Sequence, residues 1–325
     1  MSSISILSKP PILFQGRRNQ KHSITNSLLI VISKIITPNR RTKYNGPNVV
    51  FNNLKKGLKI LNQSVLVNPS VYTISSNVGV LSNLDALDWA INAKKQQKIR
   101  RLVAGPNLVT LPHEMNGILL SPFIDVVVTP CQWVKDLYIS QAPLLKEKIK
   151  IWPVGIDANY WKPSDIKEKT NIIIYNKIKN DKEKVFQRIT NELEKRGINF
   201  QVINYGLYNP KEYLAALHDA KGLVFLSRSE SQGIALFEAW SCNVPTLIWD
   251  QEYWESDDGL TKWSNASSAP FFDQQCGIKM KSISEFPNKL DKFLEEIDLF
   301  APRHYILENF TLEICAQNYI DLFSS

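Results

Sequence analysis

The stretch from Gly222 to Asp250, GLVFLSRSESQGIALFEAWSCNVPTLIWD, limits what this chain can fold into more than any other. Gly222 to Ser227 is a short apolar run that reads as a buried strand. Arg228 to Gly233 is polar and ends in glycine, a loop. Ile234 to Cys242 is rich in helix formers, and Asn243 suits the left-handed residue that closes a helix. Pro245 cannot continue that helix, and Thr246 to Trp249, β-branched and aromatic, predicts a second strand. The flanking sequence repeats the alternation. Asn171 to Tyr175 (NIIIY) and Phe200 to Tyr205 read as strands. Val185 to Arg196, stopped by Gly197, and Lys211 to Ala220, opened by Pro210, read as helices. Repeated β–α alternation calls for a Rossmann-like parallel sheet, an α/β fold.

The chemistry of the stretch lies at its strand-to-helix turn. Glu230 sits in the loop and Glu238 in the helix eight residues later. The backbone N–H groups of Gln232, Gly233, Ile234 and Ala235 precede the first intrahelical hydrogen bonds, so they can bind an anion such as a diphosphate. Gly233 lets that anion come close to the backbone. The two carboxylates flank the turn and can accept hydrogen bonds from sugar hydroxyls. The same local pattern also fits an ordinary surface loop with one stray acid, because such turns abound in α/β proteins.

Glu230-x7-Glu238, followed by Ala239, Asn243 and Pro245, resembles the Glu-x7-Glu signature of retaining glycosyltransferases with the two-domain GT-B fold, especially glycosyltransferase family 4. The resemblance implies two Rossmann-like domains facing across a cleft, with Glu230 toward the donor sugar and Glu238 on the ribose of a nucleotide sugar. Asn243 stands where the family usually has Gly, and Trp240 where it often has Met or a smaller residue. Other segments resemble the same family. Asp125 to Thr129 followed by Pro130 to Leu137 (PCQWVKDL) is similar to the end of its first domain. Pro153, Gly155, Ile156, Asp157, Trp161 and Pro163 match its interdomain hinge, where Gly155 is expected to supply backbone freedom. Lys177 and Lys182 stand at the family's Arg and Lys, which grip the donor diphosphate, with Lys179 and Lys184 as alternatives. Two cations can balance a diphosphate without a metal, although Lys177 cannot make the bidentate contact of an Arg. The base is expected near Gly206 to Tyr208. Gly46 and Pro47 open one candidate cleft loop. Asn107 lies in another, Gly105-Pro106-Asn107, where relatives often carry His. The implied domains are 1–163, 164–300 and a closing helical segment 301–325 that crosses back to the first.

Charge separates the halves of this 325-residue chain of net charge +8. Up to Pro163 there are 21 Lys+Arg and 7 Asp+Glu, a balance of +14, and from Ser164 onward 18 and 24, a balance of −6. No acid precedes Asp85. A solvated basic face, an anionic membrane surface or anionic acceptor, nucleic acid, and a targeting segment at the N-terminus all fit such a field. Among the functional readings the membrane or acceptor is favoured, and nucleic acid is not expected, since no helix-turn-helix, RNP or zinc-finger pattern is present. Cys131, Cys242, Cys276 and Cys315 form no C-x-x-C and read as reduced, buried residues. Leu28 to Ile36 is too short to cross a bilayer, which takes about 20 residues, and is expected as a core element. Val65 to Asn68 and Val71 to Ser75 read as strands with a turn at Ser76 to Gly79, and Leu84 to Ala93 as a helix. Gly46-Pro47-Asn48 feeds a helix over Val49 to Leu61. His113 reads as structural. Asp257-Asp258 fits neither an Asp-x-Asp metal motif nor this fold.

The expectation is therefore a metal-independent, retaining hexosyltransferase without a cofactor. It would act on a nucleotide-sugar donor and a glycan, lipid-linked or cell-surface polysaccharide acceptor, in the cytoplasm and in peripheral contact with an anionic membrane. A GT-B sugar-nucleotide epimerase or hydrolase is the alternative. So is a non-catalytic sugar- or membrane-binding relative, prompted by the missing Gly-Arg and His.

Overall fold

The computed structural model describes residues 3–11, 46–165, 169–178 and 184–324. Two parallel sheets divide the chain. The first has the order β2-β1-β3-β4-β5-β6, built from β1 (Ile4–Leu7), β2 (Val65–Val67), β3 (Asn77–Val80), β4 (Arg101–Ala104), β5 (Val126–Thr129) and β6 (Ile149–Ile151). The second has the order β13-β10-β9-β7-β8, from β7 (Asn171–Asn176), β8 (Phe200–Asn204), β9 (Ala220–Leu226), β10 (Thr246–Trp249) and β13 (Gly277–Met280). Both sheets place their second strand outside the first and let the third start growth on the other side. The direction in which strands are added across the sheet therefore reverses between β1 and β3 and again between β7 and β9, while all strands stay parallel. In open α/β sheets such reversal points leave a crevice at the carboxyl ends of the strands. This is the expected α/β architecture of two Rossmann-like units, and β3, β5 and β10 are buried along their whole length, as strands covered on both faces must be.

The helices follow the sequence periodicity: α1 (Gly46–Ile60), α2 (Leu84–Lys95), α3 (Gln132–Gln141), α4 (Val185–Lys195), α5 (Pro210–Asp219), α6 (Ile234–Ser241), α7 (Phe286–Glu295), α8 (Pro302–Asn309) and α9 (Leu312–Asp321). Asn83 caps α2 through a 2.7 Å bond from Ala86 N–H, and Asn243 closes α6 with φ 56°. The last helix, α9, returns to the first half. Its Ala316, Tyr319 and Ile320 share a core with Val50, Leu54 and Leu58 of α1 and with Trp152, whose indole donates to Cys315 O at 2.7 Å.

Three expectations need correction or lie elsewhere. The interior of the first sheet contains Asn77 to Val80, most of which was read above as a turn over Ser76 to Gly79, while Val71 to Ser75 forms no strand. Gly79 misled the reading. It sits mid-strand because a Cβ there would lie 2.2 Å from the Tyr319 hydroxyl. Ile4–Leu7, which the sequence reading assigned to no element, forms the strand between β2 and β3, and Leu28 to Ile36 lies outside the described residues. Gly155 is needed for space rather than for backbone freedom: its φ is not left-handed, and a Cβ would lie 2.2 Å from Thr311 O. Ile156 next to it bridges Thr311, which ties the linker to the start of α9.

The chain also contains a hairpin that the sequence reading did not anticipate. β11 (Tyr253–Glu255) pairs antiparallel with β12 (Lys262–Ser264), setting Trp254 opposite Trp263. Both indoles pack on the core of the first half although they belong to the second. All four cysteines are free and buried, and burial pushes each thiol up to about 12, so they stay protonated.

Candidate active site

The loops after β7 and β9 flank the reversal point of the second sheet. Lys177 follows β7, and Ser227 to Gly233 follow β9. Glu230 is fixed at both ends of its peptide. Its N–H donates to Ser267 O at 2.8 Å, and its C=O accepts from the Trp133 indole of α3 at 2.8 Å. Its carboxylate accepts from Lys177 Nζ at 2.8 and 2.9 Å and from Ser227 Oγ at 2.8 Å. Burial disfavours the Lys177 ammonium, but the charge and hydrogen bonds of Glu230 outweigh it and hold its pKa above the ordinary lysine value. The same ammonium lies 4.6 Å from the centre of the Tyr205 ring, a favourable cation–π position.

Gly233 begins α6 in the left-handed region, φ 81°. Its carbonyl accepts the first two helix bonds, from Leu236 and Phe237 N–H. The N–H groups of Ile234 and Ala235 precede those bonds, and both residues line the cavity described below, a position that suits an anion. Gln232 behaves differently from its neighbours. Its buried side chain exchanges two bonds with Val154 of the linker, donating at 2.7 Å and accepting at 3.1 Å. So Gln232 contributes main chain to the turn, while its amide holds the linker. Glu238 on α6 is fully buried at the inner wall.

A cavity of about 220 Å³ collects these groups. Gly46, Pro47 and Asn107 line it from the first half, and Lys177, Glu230, Gln232, Gly233, Ile234, Ala235 and Glu238 from the second. Each of these ten residues was expected from the sequence, and of the expected base site Tyr208 joins them. Lys182, with Lys179, lies outside the described residues, and Lys184 begins α4 without lining the cavity. Tyr175, Tyr205, Tyr208 and Phe225 complete the walls. The Tyr175 and Tyr208 hydroxyls are 2.9 Å apart, and burial holds both phenols protonated by raising their pKa. A capping box sets the Tyr205 to Tyr208 loop: Asn209 accepts from Glu212 N–H at 3.0 Å, and its own N–H donates to the Glu212 carboxylate at 3.0 Å.

Behind Glu230 stands a support that sequence reading missed. Asp250, at the carboxyl end of β10, accepts from Lys279 Nζ at 2.7 Å, Ser267 Oγ at 2.6 Å and Ser268 N–H at 2.9 Å. Burial opposes its charge, yet Lys279 and these donors lower its pKa below the usual aspartate value. Ser267, held this way, is the residue whose carbonyl receives Glu230 N–H. The only sequence signal was position, a carboxylate closing a buried strand. His113 is structural as expected, its Nε2 2.7 Å from Gln141 O. Asp258 serves its own turn, accepting from Ser256 Oγ at 2.5 Å and Leu260 N–H at 3.0 Å.

No family model matches the chain, and no curated protein matches it in sequence. Solved structures do match. One is a lipopolysaccharide outer core galactosyltransferase, WaaB, in its apo form, with TM-score 0.55 and 12% identity over 99% of both chains. Another is the sucrose-phosphate synthase of Thermosynechococcus elongatus, with TM-score 0.54 and 14% identity over 86% of this chain and 81% of that one. A third is a pneumococcal O-GlcNAc transferase, GtfA, in complex with UDP and GlcNAc, with TM-score 0.51 and 12% identity over 76% of this chain and 56% of that one. At such low identity the likeness speaks for architecture, and the fold this chain shares with those glycosyltransferases is GT-B.

Proposed function

We propose that the protein is a glycosyltransferase that moves a sugar from a nucleotide-sugar donor to a glycan or lipid-linked acceptor with retention of configuration. The observation that carries this reading is the 220 Å³ cavity, where a helix N-terminus, one ammonium and two carboxylates converge from separate loops at a sheet reversal point. The diphosphate would lie on the N–H groups of Ile234 and Ala235, with Gly233 allowing close approach and Lys177 facing it. Glu238 would receive the ribose hydroxyls, the aromatic wall of Tyr205 and Tyr208 the base, and Glu230 the donor sugar.

Retention means that the acceptor arrives on the face the diphosphate leaves. The acceptor hydroxyl oxygen bonds to the anomeric carbon as the bond to the diphosphate oxygen breaks. The electron pair departs with the diphosphate, and its oxygen, the nearest base, takes the hydroxyl proton. The helix N-terminus and Lys177 act on the charge that grows there, and such preorganised donors often supply the largest share of catalysis. Balancing that charge with N–H groups and an ammonium suits a metal-independent reaction. A donor that occupies this cavity also separates Lys177 from Glu230 in part, because phosphate and carboxylate compete for one ammonium. The membrane contact expected of the basic half remains part of this reading, and no described helix is long and apolar enough to cross a bilayer.

The test is a thermal-shift screen of the purified protein against UDP, GDP, ADP and their sugar conjugates, followed by transfer assays with Glu230→Ala. Ligand at about 100 times its dissociation constant adds about 2.7 kcal/mol of stability. One base family should stabilise the protein, and Glu230→Ala should lose transfer while keeping the fold. A screen in which no nucleotide shifts the protein, or a Glu230→Ala variant with full activity, overturns the assignment. Sugar release or epimerisation without acceptor would replace it with an epimerase or hydrolase.

A further inference from the structure

A second cavity, of about 480 Å³, lies on the other side of Glu230. It shares Asn107, Pro130, Lys177, Glu230 and Ser231 with the first, so the Lys177–Glu230 pair forms a common wall. Its size falls within the range of about 300–1,000 Å³ usual for small-molecule sites. Its composition is uneven. Trp133, Val134, Leu137 and Tyr138 of α3 give an aromatic and aliphatic side, Thr110 and Ser229 supply hydroxyls, and Trp254 of the hairpin closes it from the second half. The Trp133 and Trp254 rings are 6.2 Å apart with planes inclined at 39°, forming an open corner rather than a stack.

Charge narrows what can enter. Lys177 is the one cation among the described lining residues, and it is already paired to Glu230. The other ionisable acid, Glu114, accepts from Thr110 and Leu111 N–H at 3.0 and 3.1 Å. An anionic group would therefore meet carboxylates with no free cation to balance it. No Lys or Arg of the first half is among the described residues that line this space. A flat ring with one C–H face and hydroxyls at its rim suits it better: the C–H face buries apolar area on an indole, and the rim meets hydroxyl and main-chain partners.

We propose that this cavity is the acceptor subsite and takes an uncharged pyranose ring laid against Trp254, with Trp133 as the adjoining wall. This rests on the reading of the first cavity as the donor site. Hairpin and Glu230 are coupled by the chain itself. After β12 the backbone runs through Asn265, whose N–H donates to Glu252 O at 2.9 Å, and the buried Ala266 to Ser267, whose carbonyl holds Glu230. A ring on Trp254 is thereby registered against the carboxylate that faces the donor. Charged parts of a larger acceptor, such as a lipid phosphate, stay outside, toward the basic surface.

The experiment is ligand-observed saturation-transfer NMR with methyl pyranosides of glucose, galactose, mannose and N-acetylglucosamine, and with glucose 6-phosphate as the charged counterpart. It uses the full-length protein, Trp254→Ala and Trp254→Phe. A neutral glycoside should give transfer to its ring C–H protons, glucose 6-phosphate should not, and transfer should vanish in Trp254→Ala but persist in Trp254→Phe. In turnover assays Trp254→Ala should raise the KM for acceptor at least tenfold and leave the KM for donor within twofold. UDP, GDP and ADP binding measured on the same samples reports the donor site and the fold of each variant. Nucleotide binding with no glycoside signal, preference for glucose 6-phosphate, or an unchanged acceptor KM in Trp254→Ala overturns the acceptor subsite alone. Loss of nucleotide binding in the unmodified protein overturns the donor reading instead.

Discussion

The two halves meet at the 220 Å³ cavity with opposite contributions. The first half, with its balance of +14, offers Gly46, Pro47, Val49, Val50, Pro106, Asn107 and Pro130, and no ionisable side chain among its described residues. The second half, at −6, supplies the ammonium, both carboxylates and the tyrosines. The field of a domain and the charge of a site are thus set by different residues. A global surplus acts over about a Debye length, roughly 8 Å at physiological salt, and governs what approaches. A bound diphosphate responds to the few groups within hydrogen-bond reach. The charge surplus of the first half is spread over that half, while the ionisable side chains described in this cavity all come from the acidic half.

The sharpest way to break this contrast is to remove the second half's cation. Lys177→Met should weaken nucleoside diphosphate binding about 100-fold, as expected for a partly buried charge contact worth about 2–5 kcal/mol. Titration adds a sign to the same test. Because Glu230 raises the folded pKa of Lys177 above its unfolded value, the ion pair is complete below about pH 10.4. It is lost only as pH rises through the higher folded value. Diphosphate affinity measured by calorimetry should therefore stay flat from neutrality to about pH 9.5. A lysine-like step near pH 8 would mean that the pair does not protect the ammonium.

Next in size is the support behind Glu230. Asp250→Ala leaves Lys279 and Ser267 without their shared acceptor, and breaking a buried pair costs about 3 kcal/mol. Urea unfolding should show that loss, and residual activity should fall because Ser267 no longer fixes Glu230. The loss should appear only as pH rises above the aspartate range. The folded pKa of Asp250 is depressed, so its contribution is present above about pH 3.9 and fades as pH falls through the lower folded value. Equal stability of variant and parent at pH 7 would mean that Lys279 is solvated elsewhere.

A smaller, paired test compares glycines. Gly233→Ala forces a left-handed residue, at a cost of about 1–2 kcal/mol, and sets a methyl 3.2 Å from Leu236 Cδ1. Gly46→Ala meets nothing within 4 Å. Donor affinity should fall about tenfold in the first and stay unchanged in the second. Smallest of all should be the triple change Lys55→Gln, Lys56→Gln, Lys59→Gln on α1. It strips charge from the basic half without touching the cavity lining, so nucleotide affinity should move less than twofold while retention on anionic vesicles drops. A large loss of nucleotide affinity there would erase the distinction between field and site.

The same asymmetry decided what could be read from sequence. The donor turn is contiguous, so Glu230, Gly233 and Glu238 stand in one stretch whose strand, loop and helix all follow local propensity. The strand order 2-1-3 at each reversal point, by contrast, is a long-range property, and the buried strand Ile4–Leu7 carries no periodicity beyond four residues. Gly79 looked like a turn because its reason for being glycine, the Tyr319 hydroxyl, lies 240 positions away. Trp254 was invisible for a similar cause: a polar, aromatic run gives no alternation, and its partner Trp133 belongs to the other half of the chain. Asp250 was given no role in the sequence reading, since nothing local indicates that Lys279 and Ser267 converge on it.

The reciprocal amide bonds between Gln232 and Val154 have a mechanical consequence. Val154 lies in the segment joining the two sheets, and Gln232 immediately precedes Gly233, where the anion would sit. Swinging one half against the other pulls on Val154, and through two parallel bonds it pulls on the first turn of α6. Any opening of the molecule and the shape of the proposed phosphate seat would thereby be geared together. On that coupling, a half-open protein would hold a distorted seat and a closed one a complete seat, so a ligand that completed the seat would favour closure.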